Sequence, residues 1–194
     1  MKNFKEIKQE IIEVSKIMYE KGYITSKEGN LSYRIDELIL ITPSGTPKFM
    51  LKEEDIVIVS IEDLKNGNRG NASSEVFTHL EMYLSDETTR CILHAHPENT
   101  LTLNLLGYDF KEKLLFEAEY FLGDIFISEY ATPGTPEGAK VVKGIKNDII
   151  ILDKHGVIIR SKTNLWDAFY RLEILEKYSK IVYKYLLLNK KINS

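Results

Sequence analysis

The sequence predicts a layered domain, α/β or α+β, built around a mixed and largely antiparallel sheet. Three observations favour this architecture. The chain has 194 residues, a length that is typical of one domain and sufficient to enclose a hydrophobic core. Short β-prone runs stand between amphipathic segments, and they form hairpin patterns without a regular βαβ alternation. Because no repeat, low-complexity tract or long linker divides the chain, we expect one domain over residues 1–194.

The first part of the chain is predicted to supply a helix and three strands. An amphipathic helix should end near Gly22, and its apolar positions are Phe4, Ile7, Ile11, Val14 and Met18. Two β-prone runs, 31–35 and 38–42, are joined by a polar pair and are expected to form a hairpin. A third strand is expected over 56–61, and the Gly- and Asn-rich stretch 63–73 is expected to be a loop.

The second part of the chain is predicted to alternate helices with strands. A helix should start near Ser74 and turn four apolar side chains inward, namely Val76, Phe77, Leu80 and Leu84. Strands are expected over 91–96, 125–128, 149–152 and 157–160. Helices are expected over 98–106 and 114–122, from the loop 132–138 to about residue 146, and from Leu165 onward.

Composition excludes several classes of protein. Hydrophobic residues make up 43% and charged residues 28%, which argues against a disordered chain, a collagen or a coiled-coil fibre. The net charge of -3 disfavours nucleic acid as a partner, although a local basic patch would remain compatible with it. The single cysteine, Cys91, cannot form an internal disulfide, which suits a reducing cytoplasm. We find no signal-peptide pattern and no apolar run near the ~20 residues that span a bilayer, so we expect a cytoplasmic protein without a membrane partner.

Histidines supply the first indication of chemistry. His94 and His96 lie two residues apart in a predicted strand, so their side chains share one face with Cα atoms roughly 6.5–7 Å apart. Two such imidazoles can bind one metal ion, and His155, which follows a buried strand and precedes Gly156, is the candidate third ligand. Three histidines leave an open coordination position, as catalytic zinc sites do. The alternative is two separately hydrogen-bonded histidines. For His79 we favour a structural role over one beside the metal.

Small and polar residues supply the second indication. Ser73, Ser74 and Glu75 stand where a helix is expected to begin, and free N–H groups at a helix N-terminus bind phosphate well. The alternative is an ordinary N-cap, which serine often provides. Gly29-Asn30 and Ser44-Gly45 are two further small and polar turns at strand ends.

Taken in order, these residues resemble the class II aldolase/adducin family, and within it the zinc-dependent L-fuculose-phosphate aldolases. The matching motifs are Gly29-Asn30-Leu31-Ser32, Thr42-Pro43-Ser44-Gly45, Ser73-Ser74-Glu75, His94-Ala95-His96-Pro97 and His155-Gly156. The resemblance covers nearly the whole chain. It implies an α/β fold with three layers, α/β/α, around a mixed, mostly antiparallel central sheet. It also implies a homotetramer with active sites at the subunit interfaces.

The resemblance further implies the roles of individual residues. His94, His96 and His155 would hold one Zn2+ per subunit, with Mn2+, Co2+ or Fe2+ as other candidates. Glu75 would be the acid/base residue and would also ligate the metal when substrate is absent. The substrate phosphate would be bound by Gly29, Asn30, Ser44, Gly45, Ser73 and Ser74. The implied reaction is the reversible cleavage of a ketose 1-phosphate to dihydroxyacetone phosphate and an aldehyde, through an enediolate that the zinc ion stabilises.

Two aspects of this interpretation stay open at the level of sequence. The fuculose-phosphate aldolases use a further proton-transferring tyrosine, and no tyrosine stands at the equivalent place near 114–119. Glu117 or Glu119 is the expected substitute, and the alternative is a solvated glutamate. The second aspect is the reaction, because methylthioribulose-phosphate dehydratases and pentulose-phosphate epimerases share the scaffold. The epimerases typically carry Asp where Glu75 stands. An adducin-like interaction domain without a working metal site is the non-enzyme alternative.

Overall fold

The computed structural model describes residues 3–192, and a seven-stranded sheet lies at its centre. The strands are β1 (Asn30–Ile35), β2 (Leu38–Ile41), β3 (Val57–Ser60), β4 (Cys91–Ala95), β5 (Ile125–Ile127), β6 (Ile149–Leu152) and β7 (Gly156–Ser161). Their order across the sheet is β3-β2-β1-β4-β7-β6-β5. The pairing of β5 with β6 is parallel and the other pairings are antiparallel, so the predicted mixed, mostly antiparallel sheet is confirmed. Residues 1–2 and 193–194 of the expected domain lie outside the described residues.

Helices cover both faces of this sheet. They are α1 (Phe4–Glu20), α2 (Ile61–Lys65), α3 (Val76–Ser85), α4 (Glu98–Leu105), α5 (Phe116–Leu122), α6 (Pro136–Ala139) and α7 (Leu165–Ile192). Short 3-10 helices lie at Lys48–Met50, Glu53–Asp55 and Lys140–Val142. Among the helices of the described chain, none combines the length and the apolar character that crossing a membrane requires.

The two faces of the sheet carry separate hydrophobic clusters, because side chains alternate along a strand. Leu93 and Ile159 face one cluster, which includes apolar residues of α1, α4, α5 and α7. Ile92 and Ile158 face the other, which includes residues of α2 and α3. The predicted three-layer α/β/α architecture is therefore confirmed.

Local departures from the predicted elements have simple physical reasons. The third strand ends at Ser60, whose side chain accepts a hydrogen bond from the Asp63 amide (2.9 Å) and thereby caps α2, so the predicted loop 63–73 begins with helix. The helix expected to reach residue 146 is limited to α6 and one 3-10 turn. Leu84 is 44% exposed and does not point inward, because it lies in the last turn of α3, at the margin of the face through which Val76, Leu80 and Tyr83 pack on the sheet.

Candidate metal centre and active site

Three histidine side chains converge at the ends of two central strands of the sheet. His94 is part of β4, and His96 follows the end of that strand, where its amide donates to the Tyr23 carbonyl (2.9 Å). His155 lies in the turn between β6 and β7, and β7 pairs with β4. One ligand atom from each histidine lies within 4.8 Å of the others, and the Nε2 atoms of His94 and His96 are 3.0 Å apart. The structure thus brings together the two histidines of the HxH motif and the distant one.

The turn that carries His155 is fixed from both sides. Lys154 adopts a φ of 56°, and its amide donates to the Asn104 side chain (2.9 Å). A Cβ at Gly156 would lie 2.6 Å from His96 Cδ2 and 2.7 Å from His94 Cε1, so no larger residue fits between the turn and the imidazoles. The position of His155 therefore depends on a glycine that lets the hairpin approach β4 closely.

The three imidazoles have the donor chemistry that a divalent metal ion requires. The Nδ1 of His94 donates to the Val157 carbonyl (3.0 Å), so Nε2 is the ring nitrogen that faces the cluster and would bind a metal ion. Burial, reinforced by the neighbouring His94, lowers the pKa of His96 and the pKa of His155 to about 4 each. Both are neutral at pH 7, and neutral imidazole is the form that ligates metals. The cluster therefore fits such an ion.

Glu75 completes the cluster from the start of α3. Its Oε2 lies 3.2 Å from His94 Nε2, and its Oε1 lies 3.3 Å from His155 Nε2. The Asn30 side chain donates to Oε2 (2.7 Å), and Glu75 makes no side-chain cap for its own helix. Burial acts to raise the pKa of Glu75, but His94, His155 and Asn30 outweigh it and hold the pKa well below the ordinary value. The carboxylate is ionised next to the imidazoles.

The electrostatic coupling between Glu75 and His94 is reciprocal. Burial acts to lower the pKa of His94, but the adjacent Glu75 carboxylate and the hydrogen bond to Val157 raise it above the ordinary value.

Glu28 is a further carboxylate in this region that the sequence did not suggest, and its Oε2 lies 3.6 Å from His96 Nδ1. Carboxylates at this position commonly orient metal-binding histidines.

A cavity of about 230 Å³ opens beside Glu75. All six residues expected to bind phosphate line it, namely Gly29, Asn30, Ser44, Gly45, Ser73 and Ser74. Glu75, His96 and His155 line the same cavity. Gly29 has a φ of 68°, and a Cβ there would lie 2.9 Å from the His94 carbonyl, so glycine is required at this wall. Motifs from five separate segments thus meet around one space.

Lys48 also lines this cavity, and sequence reasoning missed it. The residue is only 2% exposed, and burial lowers its pKa. Its ammonium donates to the carbonyls of Thr46 (3.2 Å) and Lys27 (3.4 Å), and no carboxylate of the described residues lies within ion-pairing distance. A buried cation without an anionic partner favours an anion in the adjacent space. Its position shortly after the Ser44-Gly45 turn was the available signal, but lysine is ordinarily an exposed residue.

The two glutamates suggested as a second proton donor lie elsewhere. Glu117 and Glu119 are exposed on α5. Among the described residues, the two glutamates are absent from the lining of the cavity beside Glu75 and from that of a smaller cavity on another side of His155. They also make no contact with the histidine cluster within the described chain.

Comparison with known proteins agrees with the fold and the motifs. The family model of the class II aldolase and adducin N-terminal domain matches residues 9–183. An L-fuculose phosphate aldolase from Methanococcus vannielii is 33% identical over 174 residues, which cover 89% of this chain and 93% of that protein. A 3-oxo-tetronate 4-phosphate decarboxylase from Haemophilus influenzae is 27% identical, over 91% of this chain and 86% of its own. The crystal structure of an L-fuculose-1-phosphate aldolase from Thermus thermophilus has a TM-score of 0.81 at 24% identity, covering 95% of this chain and 97% of that one.

Proposed function

The chain belongs to the class II aldolase and adducin family, and on that premise we propose that it is a metal-dependent aldehyde-lyase. The proposed reaction is the reversible cleavage of a ketose 1-phosphate, similar to L-fuculose 1-phosphate, into dihydroxyacetone phosphate and an aldehyde. One observation carries the proposal: an ionised carboxylate, Glu75, lies between three convergent imidazoles and a cavity lined by small polar residues. That arrangement suits proton transfer on a substrate held by its phosphate.

His94, His96 and His155 would hold the metal ion, with Glu75 as a further ligand in the absence of substrate. We propose Zn2+, with Mn2+, Co2+ and Fe2+ as other candidates, because imidazole binds all of them. When bound, the ion supplies a Lewis acid for the negative charge that develops as the carbon–carbon bond breaks.

The cavity residues would hold the substrate phosphate, and Lys48 would neutralise part of its charge. Binding energy from this remote group orients the reacting carbons against Glu75. In the direction of synthesis, the Glu75 carboxylate removes a proton from the carbon of dihydroxyacetone phosphate that becomes nucleophilic. In the direction of cleavage it returns that proton. A second group must donate a proton to the aldehyde oxygen during synthesis.

That second group is proposed to be Glu117 or Glu119 of a neighbouring subunit in a homotetramer. The exposed aromatic side chains of α5, on the same helix as these glutamates, support an interface there. We also propose that residues 1–194 act as one domain, which the lack of a repeat, low-complexity tract or long linker in the sequence supports. We propose a cytoplasmic location, which the single cysteine supports.

Two variants test the assignment of roles. Glu75→Gln should retain metal but lose turnover by about 100-fold or more, because the amide cannot accept the proton. His94→Ala should lose metal, as measured by elemental analysis of the purified protein. Glu62→Gln, at an exposed position on α2, is the matched control and should keep both properties. Normal turnover by Glu75→Gln, or an unchanged metal content in His94→Ala, contradicts the assignment.

A panel of ketose 1-phosphates tests the reaction itself. We expect chelator-sensitive release of dihydroxyacetone phosphate, followed with a coupled enzyme, and total products identified by mass. The Haemophilus influenzae relative makes decarboxylation of a phosphorylated oxo-acid the second candidate, which release of carbon dioxide would reveal. Loss of water without triose phosphate would identify a dehydratase. A folded protein that binds no metal would favour the adducin-like interaction domain.

A further inference from the structure

A continuous chain of four hydrogen bonds ends at the Glu75 carboxylate. The Tyr83 hydroxyl lies 2.7 Å from Ser32 Oγ, which in turn lies 2.7 Å from His79 Nδ1. His79 Nε2 lies 2.6 Å from Asn30 Oδ1, and Asn30 Nδ2 lies 2.7 Å from Glu75 Oε2. The four residues behind Glu75 are all buried. The reaction proposed above uses Glu75 and the cavity but assigns nothing to His79, Ser32 or Tyr83.

Two regular elements bring these side chains into register. Glu75, His79 and Tyr83 follow one another at intervals of four residues along α3, so they form one stripe with a rise of about 6 Å per interval. Asn30 and Ser32 are two residues apart on β1 and share one face, about 6.6 Å apart. Because the two spacings nearly match, the polar stripe of the helix pairs with the polar positions of the strand.

The direction of every hydrogen bond follows from the carboxylate. An ionised carboxylate only accepts, so Asn30 must present its amide nitrogen to Glu75 and its carbonyl oxygen to His79. His79 must then carry its hydrogen on Nε2, which leaves Nδ1 to accept from the Ser32 hydroxyl. Ser32 accepts in turn from Tyr83. Burial, with a smaller contribution from His94, lowers the pKa of His79 to about 3, so the ring is neutral and carries one N–H.

The chain of hydrogen bonds affects Glu75 through the orientation of the Asn30 side-chain amide. If the amide were turned over, its carbonyl oxygen would face the carboxylate, and its NH2 group would face the only hydrogen on the imidazole. Both contacts are repulsive, and neither group could reach water in this buried place. A neutral imidazole that donates from Nε2 therefore selects one amide orientation.

We propose that His79 is a positioning residue that, held by Ser32 and Tyr83, fixes the Asn30 amide so that it donates to Glu75 and holds the carboxylate in its reactive place. The proposal rests on the function proposed above, since it concerns the residue that would transfer the proton. A merely structural role for His79 predicts lost stability without a specific effect on turnover.

Two amide substitutions separate the two ends of the imidazole. In His79→Gln the side-chain nitrogen can occupy the place of Nε2 and donate to Asn30. In His79→Asn the shorter side chain can replace Nδ1 as an acceptor for Ser32, but it does not reach Asn30. We expect His79→Asn to lower kcat about 10- to 100-fold with KM and metal content unchanged, and His79→Gln to restore most of kcat. Met82→Leu, at another buried position of α3, is the control for disturbed packing and should keep kcat.

Nitrogen-15 NMR of His79 gives a readout that does not depend on turnover. In both the zinc-loaded and the metal-free protein, Nε2 should carry the hydrogen, and the Asn30 side-chain amide should exchange slowly with solvent. The slow exchange should persist in His79→Gln and disappear in His79→Asn. If His79→Asn does not fold, Ser32→Ala serves in its place. Without the Ser32 hydroxyl, His79 should populate both neutral tautomers, and kcat should fall by a smaller factor.

The outcomes are distinct. An Nδ1–H tautomer, or a charged ring at pH 7, overturns the direction of the chain. A correct tautomer with wild-type kcat in His79→Asn, or equal losses in the Asn and Gln variants, reduces His79 to a structural residue. If the wild-type protein cleaved no sugar phosphate, the proposed function would fail on its own, while the tautomer and the exchange of the Asn30 amide would still decide the positioning.

Discussion

Gly156 places the tightest steric demand on the histidine cluster. A Cβ at this position would lie 2.6 Å from His96 Cδ2, 2.7 Å from His94 Cε1 and 2.7 Å from the Ala95 carbonyl, distances that side chains do not tolerate. We expect Gly156→Ala to displace the imidazoles and weaken metal binding at least about 10-fold. Competition with a chromophoric chelator measures the affinity.

The control for this variant is Gly67→Ala. Gly67 has a φ of 82° and open space around it, so alanine there should cost about 1 kcal/mol of stability without disturbing the cluster. Its metal affinity should therefore equal that of the wild-type protein. An unchanged affinity in Gly156→Ala would mean that the hairpin yields more easily than its close packing implies.

At the scale of secondary structure, buried carboxylates accept hydrogen bonds from backbone amides at the N-termini of α4 and α7, in the layer that these helices form with α1. Glu176 of α7 accepts from the amides of Asn99 (2.8 Å) and Thr100 (3.0 Å), which lie in the first turn of α4. Glu10 of α1 accepts from the Leu165 amide (2.8 Å) at the start of α7. A helix N-terminus has unpaired N–H groups and a positive dipole end, so a carboxylate from a neighbouring helix can serve as its cap. The α4 cap matters for the site because His96 and Pro97 directly precede that helix.

Glu176→Gln tests this contribution. The amide loses the charge and one acceptor while the backbone donors stay buried, so we expect a loss of about 1–3 kcal/mol in the free energy of unfolding. Denaturant unfolding of the metal-free protein measures it. Glu173→Gln is the control, because Glu173 pairs with Lys21 (2.8 Å) near the surface and exposed ion pairs contribute little to stability. Equal losses in the two variants would argue that the α4 cap contributes little.

At the scale of the whole molecule, α5 presents aromatic side chains to its surroundings. Phe116 is 72% exposed and Tyr120 is 70% exposed, and their rings stack on each other. Large exposed apolar groups of this kind commonly mark contacts between proteins. Phe116→Lys combined with Tyr120→Lys should reduce the proposed homotetramer to smaller species by light scattering. Turnover should fall with assembly if Glu117 or Glu119 acts in a neighbouring site.

The control replaces an exposed apolar residue elsewhere, and Met50→Lys serves because Met50 is also well exposed in a 3-10 helix. It should leave the assembly state unchanged. A wild-type protein that is monomeric at working concentration, or an α5 variant that assembles normally, would contradict an interface at α5.

Periodicity in the sequence was sufficient for the layered fold and for the paired histidines. A repeat of two fixes which residues share a strand face, so His94 and His96 could be placed side by side before any contact was known. The ordered motifs were sufficient for the family, and the match over residues 9–183 confirms that resemblance. The hydrophobic pattern gave a wrong prediction at two positions. Ser60 caps a helix inside a predicted strand, and Leu84, which was predicted to point inward, is exposed.

The sequence by itself thus determined the helical and strand segments, the mixed sheet and the residue types of the candidate site, because these depend on local spacing and burial. The three-layer arrangement followed from the family resemblance. Only the tertiary structure decided which distant groups meet. Asn30 and Glu75 are 45 residues apart, and the direction of their hydrogen bond depends on the register between α3 and β1. The burial of Lys48 and the close approach of Gly156 to the histidines likewise depend on how layers and turns pack. Long-range pairing of polar atoms is selected by three-dimensional fit, and no periodicity along the chain encodes it.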